Sequence, residues 1–174
     1  ATSLTKTNNN RLYAFAELKG ALRSLSYNLG IGASYIKYNQ SGHKYNFWTL
    51  RPKASLTYRI NNKMQLSYSY QMQDKVSRIA MTSDVSIRTN SMEWTIGNPN
   101  LKPSRHMEHR LKFSYNTNRL QAFVDGYFKQ CLKPNMAHYV RTEENQFIYT
   151  QINQKEIDAL NVMAYVGCWI LPGK

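Results

Sequence analysis

No stretch of the 174-residue sequence holds the ~18 consecutive apolar residues that a membrane-spanning helix requires. A helical membrane protein is thereby excluded. A membrane β-barrel is not, because alternate residues of its strands face a wet interior and keep the mean hydropathy low. Cysteine is scarce: Cys131 and Cys168 stand far apart and form no CxxC pair, so one disulfide and two free thiols are both compatible with the sequence. No GxSxG, P-loop or GxGxxG motif is present, and no enzyme is expected. Acids are few. The first 73 residues hold ten Lys/Arg and a single acid, Glu17, within a chain of net charge +13. Such a balance suits nucleic acid, an anionic membrane surface, an acidic ligand or the lumen of a channel. The start, Ala1-Thr2-Ser3-Leu4, has neither an initiator Met nor a basic-then-apolar leader. A mature chain or a piece of a longer one is therefore expected.

What is abundant is alternation. Leu25, Tyr27, Leu29, Ile31, Ala33 and Tyr35 fall on one face of an extended segment, with Ser26, Asn28, Gly30, Gly32 and Ser34 on the other. Period two predicts a strand. From Phe47 to Ile60 the same holds: Leu50, Pro52, Ala54, Leu56, Tyr58 and Ile60 oppose Arg51, Lys53, Ser55, Thr57 and Arg59. Asn61-Asn62-Lys63 reads as a tight turn. Met64 to Gln73 then returns, with Leu66, Tyr68 and Tyr70 against Ser67, Ser69 and Gln71. Met107 to Tyr115, the turn Asn116-Thr117-Asn118 and Arg119 to Gln130 predict a further hairpin, with Arg110 and Lys112 on its polar face. Arg11 to Lys19 fits either a strand or a short helix, and Phe147 to Ile152 and Val162 to Ile170 are weaker strands. Segments 39–46, 73–105 and 132–146 are expected to be long loops.

About eight strands of roughly ten residues, short turns on one side and long loops on the other, fit an all-β, antiparallel up-and-down transmembrane barrel. A soluble antiparallel sandwich, with the apolar face as its core, fits the alternation too. The chain is organised around Gly97-Asn98-Pro99-Asn100-Leu101-Lys102-Pro103. Two prolines, each lacking a backbone donor and extending the residue before it, make this a stiff lead-in from loop to strand.

Three segments carry a family resemblance. Leu50 to Tyr58 resembles a Pro-containing strand, and Leu66 to Gln71 its returning strand, of the barrel of TonB-dependent outer-membrane receptors of the Bacteroidetes-type outer-membrane β-barrel family. Gly97, Asn98, Pro99, Leu101 and Pro103 resemble that family's G-N-P-x-L-x-P motif, which follows an extracellular loop and opens the next strand. Ser104-Arg105 stands where the family usually has Glu. The resemblance implies one segment, residues 1–174, of a larger barrel in the outer membrane of a Gram-negative cell, without its plug domain. It implies energy-dependent uptake of a large scarce nutrient such as a siderophore, vitamin or glycan. The implied partners are outer-membrane lipid, the TonB energy-transducing complex acting through the plug, a surface lipoprotein and the nutrient. No cofactor is implied.

On this reading Arg51, Lys53, Arg59, Arg110 and Lys112 face the lumen. Arg78, Arg88 and Trp94 lie in a ligand-facing loop, and Tyr58, Tyr68, Tyr70 and Tyr115 serve as an interfacial girdle. The alternative is a soluble, basic antiparallel β protein that binds an anionic polymer or nucleic acid through Arg51, Lys53 and Arg59. Nucleic acid is the less favoured partner. A passive, plug-free porin is a third reading. His106 and His109 flank Glu108, but on a strand positions i and i+3 face opposite sides, so no metal site is expected there.

Overall fold

The computed structural model describes residues 7–40, 43–78, 81–83 and 85–169. The strands are β1 (Thr7–Leu22), β2 (Leu25–Gln40), β3 (His43–Arg59), β4 (Met64–Lys75), β5 (Ser86–Arg88), β6 (Glu93–Ile96), β7 (Ser104–Asn116), β8 (Leu120–Leu132), β9 (Asn135–Arg141), β10 (Phe147–Asn153) and β11 (Glu156–Cys168). Seven of them form one antiparallel meander in the order β1-β2-β3-β4-β7-β8-β11. β5, β6, β10 and β9 form a second, four-stranded sheet. Arg11 to Lys19 is a strand, not a helix.

Short turns close one end of the meander. Arg23 sits at φ 52° in the β1–β2 turn. In the β3–β4 turn the Asn61 Oδ1 accepts from the backbone N–H of Lys63 and Met64 at 2.8 and 2.9 Å. In the β7–β8 turn the Thr117 Oγ1 accepts from Leu120 N–H at 2.9 Å. Asn and Thr side chains thus supply the acceptors that a tight chain reversal leaves its amides without.

Three expectations about the other end need correction. Residues 39–46 are not a long loop: the β2–β3 ladder continues to Gln40 opposite His43, and residues 41–42 lie outside the described residues. Segments 73–105 and 132–146 are not structureless, since they contain β5 and β6, and β9. β10 is a strand as expected, but it belongs to the second sheet.

Pro52 explains a change in the meander. It pairs with Ile31 of β2, whereas the β3–β4 ladder begins one residue later, at Lys53 opposite Gln71. Even positions of β3 turn their backbone groups to β4 and odd positions to β2, as Ile60 N–H to Met64 and Arg59 N–H to Ser24 show, so the N–H missing at Pro52 interrupts the β4 ladder and leaves the β2 ladder whole. β4 runs on to Lys75 paired with β7 alone, opposite Ser104.

Registers fix the faces. Leu18, Leu29, Ala54, Tyr70, His109, Phe128 and Leu160 form one rung of the apolar face. Glu17, Gly30, Lys53, Gln71, Glu108, Lys129 and Ala159 form the next rung, on the polar face. The apolar face has no second layer among the described residues: Leu22, Leu160 and Val166 are 71%, 73% and 71% exposed. A soluble sandwich would bury such a face. Buried apolar side chains among the described residues are few, namely Ile36, Leu101 and Cys131.

Aromatic residues bound the apolar band. Tyr35 and Trp48 pack with ring centroids 5.0 Å apart towards the loop end, and Tyr58 and Tyr115 sit near the turn end. Trp48 and Tyr58 are ten positions apart on β3, with only Leu50, Pro52, Ala54 and Leu56 between them on that face. At about 3.3 Å per residue and a tilt of roughly 40°, the separation is about 25 Å along the normal. That is the height of the apolar band of an outer-membrane barrel.

Candidate functional site: a polar face under a loop platform

The polar face is basic but internally paired. Glu17 on β1 accepts from Lys53 Nζ at 2.6 Å and Lys19 Nζ at 2.9 Å. Lys53 lies two strands away, and Gly30 stands between them. A Cβ at Gly30 would come within 2.7 Å of the Lys53 stem, so the missing side chain is what lets the lysine cross. Gly30 and Gly32 are covered by Lys53 and Tyr13 respectively.

On the next strands Gln71 donates to Glu108 in a short contact, and Lys129 Nζ lies 3.5 Å from the same carboxylate. Arg110 grips Asp125 through Nε at 2.9 and 3.0 Å and through a short Nη2 contact; the carboxylate is buried, 4% exposed. The planar guanidinium suits such a two-pronged pairing. Arg51, Lys53 and Lys112 also lie over the rings of Tyr13, Phe15 and Phe123 at 5.8, 4.8 and 4.5 Å. A concavity of about 270 Å³ opens on this face, lined by Asn28, Lys53, Ser69, Gln71, Glu108 and Arg110 among others.

Above the loop end, two loops are joined into one platform. β5 and β6 form a hairpin from the first loop, and β9 and β10 one from the second. β6 pairs with β10 in parallel, Glu93 opposite Phe147. Trp94 Nε1 donates to Gln146 Oε1 across that junction at 2.8 Å. Arg88 stacks over Trp94 at 5.7 Å and donates to the carbonyls of Asn90 and Ser91 at 3.2 and 3.1 Å.

The Gly97–Pro103 stretch fastens the platform to the meander. Asn98 Oδ1 accepts from Asn100 N–H at 3.0 Å, which makes the turn local. Asn98 Nδ2 donates to the Gln151 carbonyl of β10 at 3.0 Å, and its backbone N–H to the Met81 carbonyl at 2.7 Å. Lys102 N–H donates to Asn153 Oδ1 at 2.8 Å. Asn153 Nδ2 in turn donates to the carbonyls of Lys102 and Lys133 and to Asn135 Oδ1 at 3.0, 2.9 and 2.6 Å. Leu101 is buried beneath. Leu101 N–H closes a turn on the Asn98 carbonyl at 3.2 Å, and the amides and carbonyls on either side of it reach the second loop.

The sequence-selected residues therefore fall into two groups. Arg51, Lys53, Arg59, Arg110 and Lys112 share the polar face of the meander, with Arg59 at its turn end. Arg88 and Trp94 are joined within the platform, whereas Arg78 lines a different cavity, between platform and meander. His106 lies on the polar face. His109 lies on the apolar face, where its Nδ1 is 2.9 Å from the Tyr68 hydroxyl and its ring 4.8 Å from Tyr70. Residues that sequence reasoning passed over are Glu17, Asp125 and Asn153. Glu17 carried a signal, as the one acid among ten bases in the first 73 residues. Asn153 carried none, because its partners lie 18 to 51 positions away.

An open antiparallel meander with an aromatic-bounded apolar outside, a polar inside, tight turns below and long hairpins above is a portion of a transmembrane β-barrel. A family model described as the outer membrane protein beta-barrel family matches residues 5–167. The chain belongs to that family, and its place is the outer membrane of a Gram-negative cell. Solved structures share the fold at low identity. The copper transporter OprC superposes with TM-score 0.73 at 11% identity, over 95% of this chain and 28% of that one. The FrpB iron transporter from Neisseria meningitidis (F3-3 variant) gives 0.66 at 12%, over 94% and 23%. The siderophore receptor PirA from Pseudomonas aeruginosa gives 0.60 at 12%, over 92% and 39%. The chain thus spans between about a quarter and two fifths of the length of these receptors. No curated protein matches it in sequence. The resemblance read from Leu50–Tyr58, Leu66–Gln71 and Gly97–Pro103 to receptor barrels of this kind holds at the level of family and fold.

Proposed function

We propose that this chain supplies part of the barrel wall and part of the extracellular capture surface of a TonB-dependent receptor that takes up a large, scarce nutrient. The observation that carries this reading is the stitched platform. Two loops held as one sheet above a polar-lined wall make a preorganised surface, and ordering it before the ligand arrives removes a cost from binding. Arg51, Lys53, Arg59, Arg110 and Lys112 then face the lumen. Lys75 and Arg78, at the cavity between platform and meander, favour a cargo bearing negative charge. The TonB complex, reached through a plug, and a surface lipoprotein are the partners this reading requires, and siderophore, vitamin and glycan are the cargo classes to try.

The test is uptake by cells carrying the receptor, with ferric siderophores, cobalamin and oligosaccharides as probes. Uptake of one class that stops when TonB is removed supports the reading. Replacing Arg88 and Trp94 together by alanine should weaken that uptake while leaving insertion in the outer membrane intact. Passage of all three classes that ignores TonB would make the chain part of a passive pore instead.

A further inference from the structure

Between the platform and the meander lies a cavity of about 440 Å³, lined by Lys75, Arg78, Met81, Ser104, His106 and Cys131 among others. Two soft-metal ligand types converge there. Cys131 Sγ on β8 is 3.6 Å from His106 Nε2 on β7, across a directly paired rung of the ladder. Cys131 is only 8% exposed and is a free thiol. Its position excludes a disulfide with Cys168, which pairs with Leu120 at the opposite end of β8. The imidazole is poorly satisfied as it stands. Ser104 Oγ is 3.2 Å from Nε2, and Nδ1 is buried with no partner among the described residues.

We infer that Cys131 and His106 form a binding site for a soft monovalent d¹⁰ metal cation, of the Cu(I)/Ag(I) class, open towards the cavity. Three arguments bear on that class: the first admits a metal of any kind, and the other two select this one. The first is distance. Metal–nitrogen and metal–sulfur bonds of about 2.0 and 2.3 Å span 3.6 Å when the angle at the metal is roughly 110°. That angle is trigonal or tetrahedral, so at least one further position stays open, and Met81 is among the residues that line the cavity. The second is softness: thiolate, thioether and imidazole favour Cu(I) over oxygen-seeking ions. The third is charge. Binding replaces the thiol proton by the cation, so a thiolate with a monovalent ion is neutral. A divalent ion would leave net positive charge in a cavity that already holds Lys75 and Arg78 and, among its described lining residues, no carboxylate.

The site stands apart from the uptake reading, since it needs only the β7–β8 rung and the cavity. The experiment uses the protein extracted from outer membranes in detergent, with Ag(I) as the probe because it is redox-inert. Maleimide labelling of each cysteine, read by mass spectrometry, reports silver occupancy while free methionine competes for the metal. Cys168, exposed and alone, is the internal standard for an isolated thiol. The expected result is protection of Cys131 persisting to at least tenfold higher competitor than that of Cys168. His106→Gln should remove the difference, with the labelling rate of metal-free Cys131 checking that the fold is kept. Zn(II) should give Cys131 no such advantage. Equal silver protection of the two cysteines in the unaltered protein would overturn the site, whatever the variant does. Equal preference for Zn(II) would overturn the monovalent assignment.

Discussion

The meander and the platform are built by opposite means. Along β3 and β4 every second side chain has the same fate, outward into lipid or inward to water, and the ladder needs no help from specific side chains. The platform has strands of three, four and seven residues and depends on single side chains, Asn98, Trp94 and Asn153, to hold it. A wall in lipid must satisfy all of its backbone groups internally and so becomes a regular ladder. Loops beyond the lipid are wet, and there irregular backbone can be satisfied by side chains or by water. The Gly97–Pro103 stretch lies where one regime passes into the other.

The largest effect that would break this division is a charge on the outside of the wall. Leu111→Arg, at an exposed rung of β7, should cost about 2–4 kcal/mol near the bilayer midplane. It would be read as loss of the heat-modifiable folded band on gels. Next is Asn153→Ala, which removes every side-chain bond made by that residue. Those with Lys102 and Lys133 are exposed to solvent, so each contributes only a net ~0.5–1.5 kcal/mol. The loss should appear as faster amide exchange in β6, β9 and β10, with β4 and β7 unchanged. If the β4 and β7 amides speed up equally, platform and wall are one cooperative unit and the comparison fails.

Asp125→Asn is smaller. It removes the partner of Arg110, whose side chain is 53% exposed, so solvent screens the remaining charge. A loss of about 1 kcal/mol in urea unfolding from vesicles is expected. Smallest is Ser114→Arg. It stands on the polar face opposite Gln65 and Phe123. A surface change of this kind should stay within about 0.5 kcal/mol, even though the same residue type at Leu111, three positions away, is ruinous.

The same contrast explains what the sequence disclosed. Leu25–Tyr35, Leu50–Ile60 and Met64–Gln73 showed the wall directly, because lipid on one side and water on the other write themselves into every second residue. The continuation of β2 and β3 beyond Tyr38 and before Phe47 was hidden. There the hairpin passes the Tyr35–Trp48 belt, leaves the apolar band and no longer needs alternation. β5, β6 and β9 were hidden for another reason: β9, exposed at six of its seven positions, has no buried face to alternate with, and a strand of three or four residues such as β5 or β6 has too few positions to display a period. Its pairing is set by a loop about 50 positions away, as between Trp94 and Gln146. The motif itself was legible as a stiff lead-in, but its bonds to Gln151 and Asn153 were not. The face of Arg51, Lys53, Arg59, Arg110 and Lys112 was legible by alternation, whereas the pairing of Lys53 with Glu17 over Gly30 depended on a register that sequence does not state.

The central claim is that one face of the meander meets lipid and the other meets water. Nitroxide scanning tests it most directly. With Cys131 and Cys168 replaced by serine, single labels would be placed at successive positions from Leu66 to Tyr70 on β4 in lipid vesicles. Their relaxation would be measured with oxygen and with a water-soluble nickel chelate. Labels at Leu66, Tyr68 and Tyr70 should respond to oxygen, and those at Ser67 and Ser69 to nickel, in strict alternation. Nickel access at all five positions would mean that both faces are wet, and the chain would then be no wall of a membrane barrel.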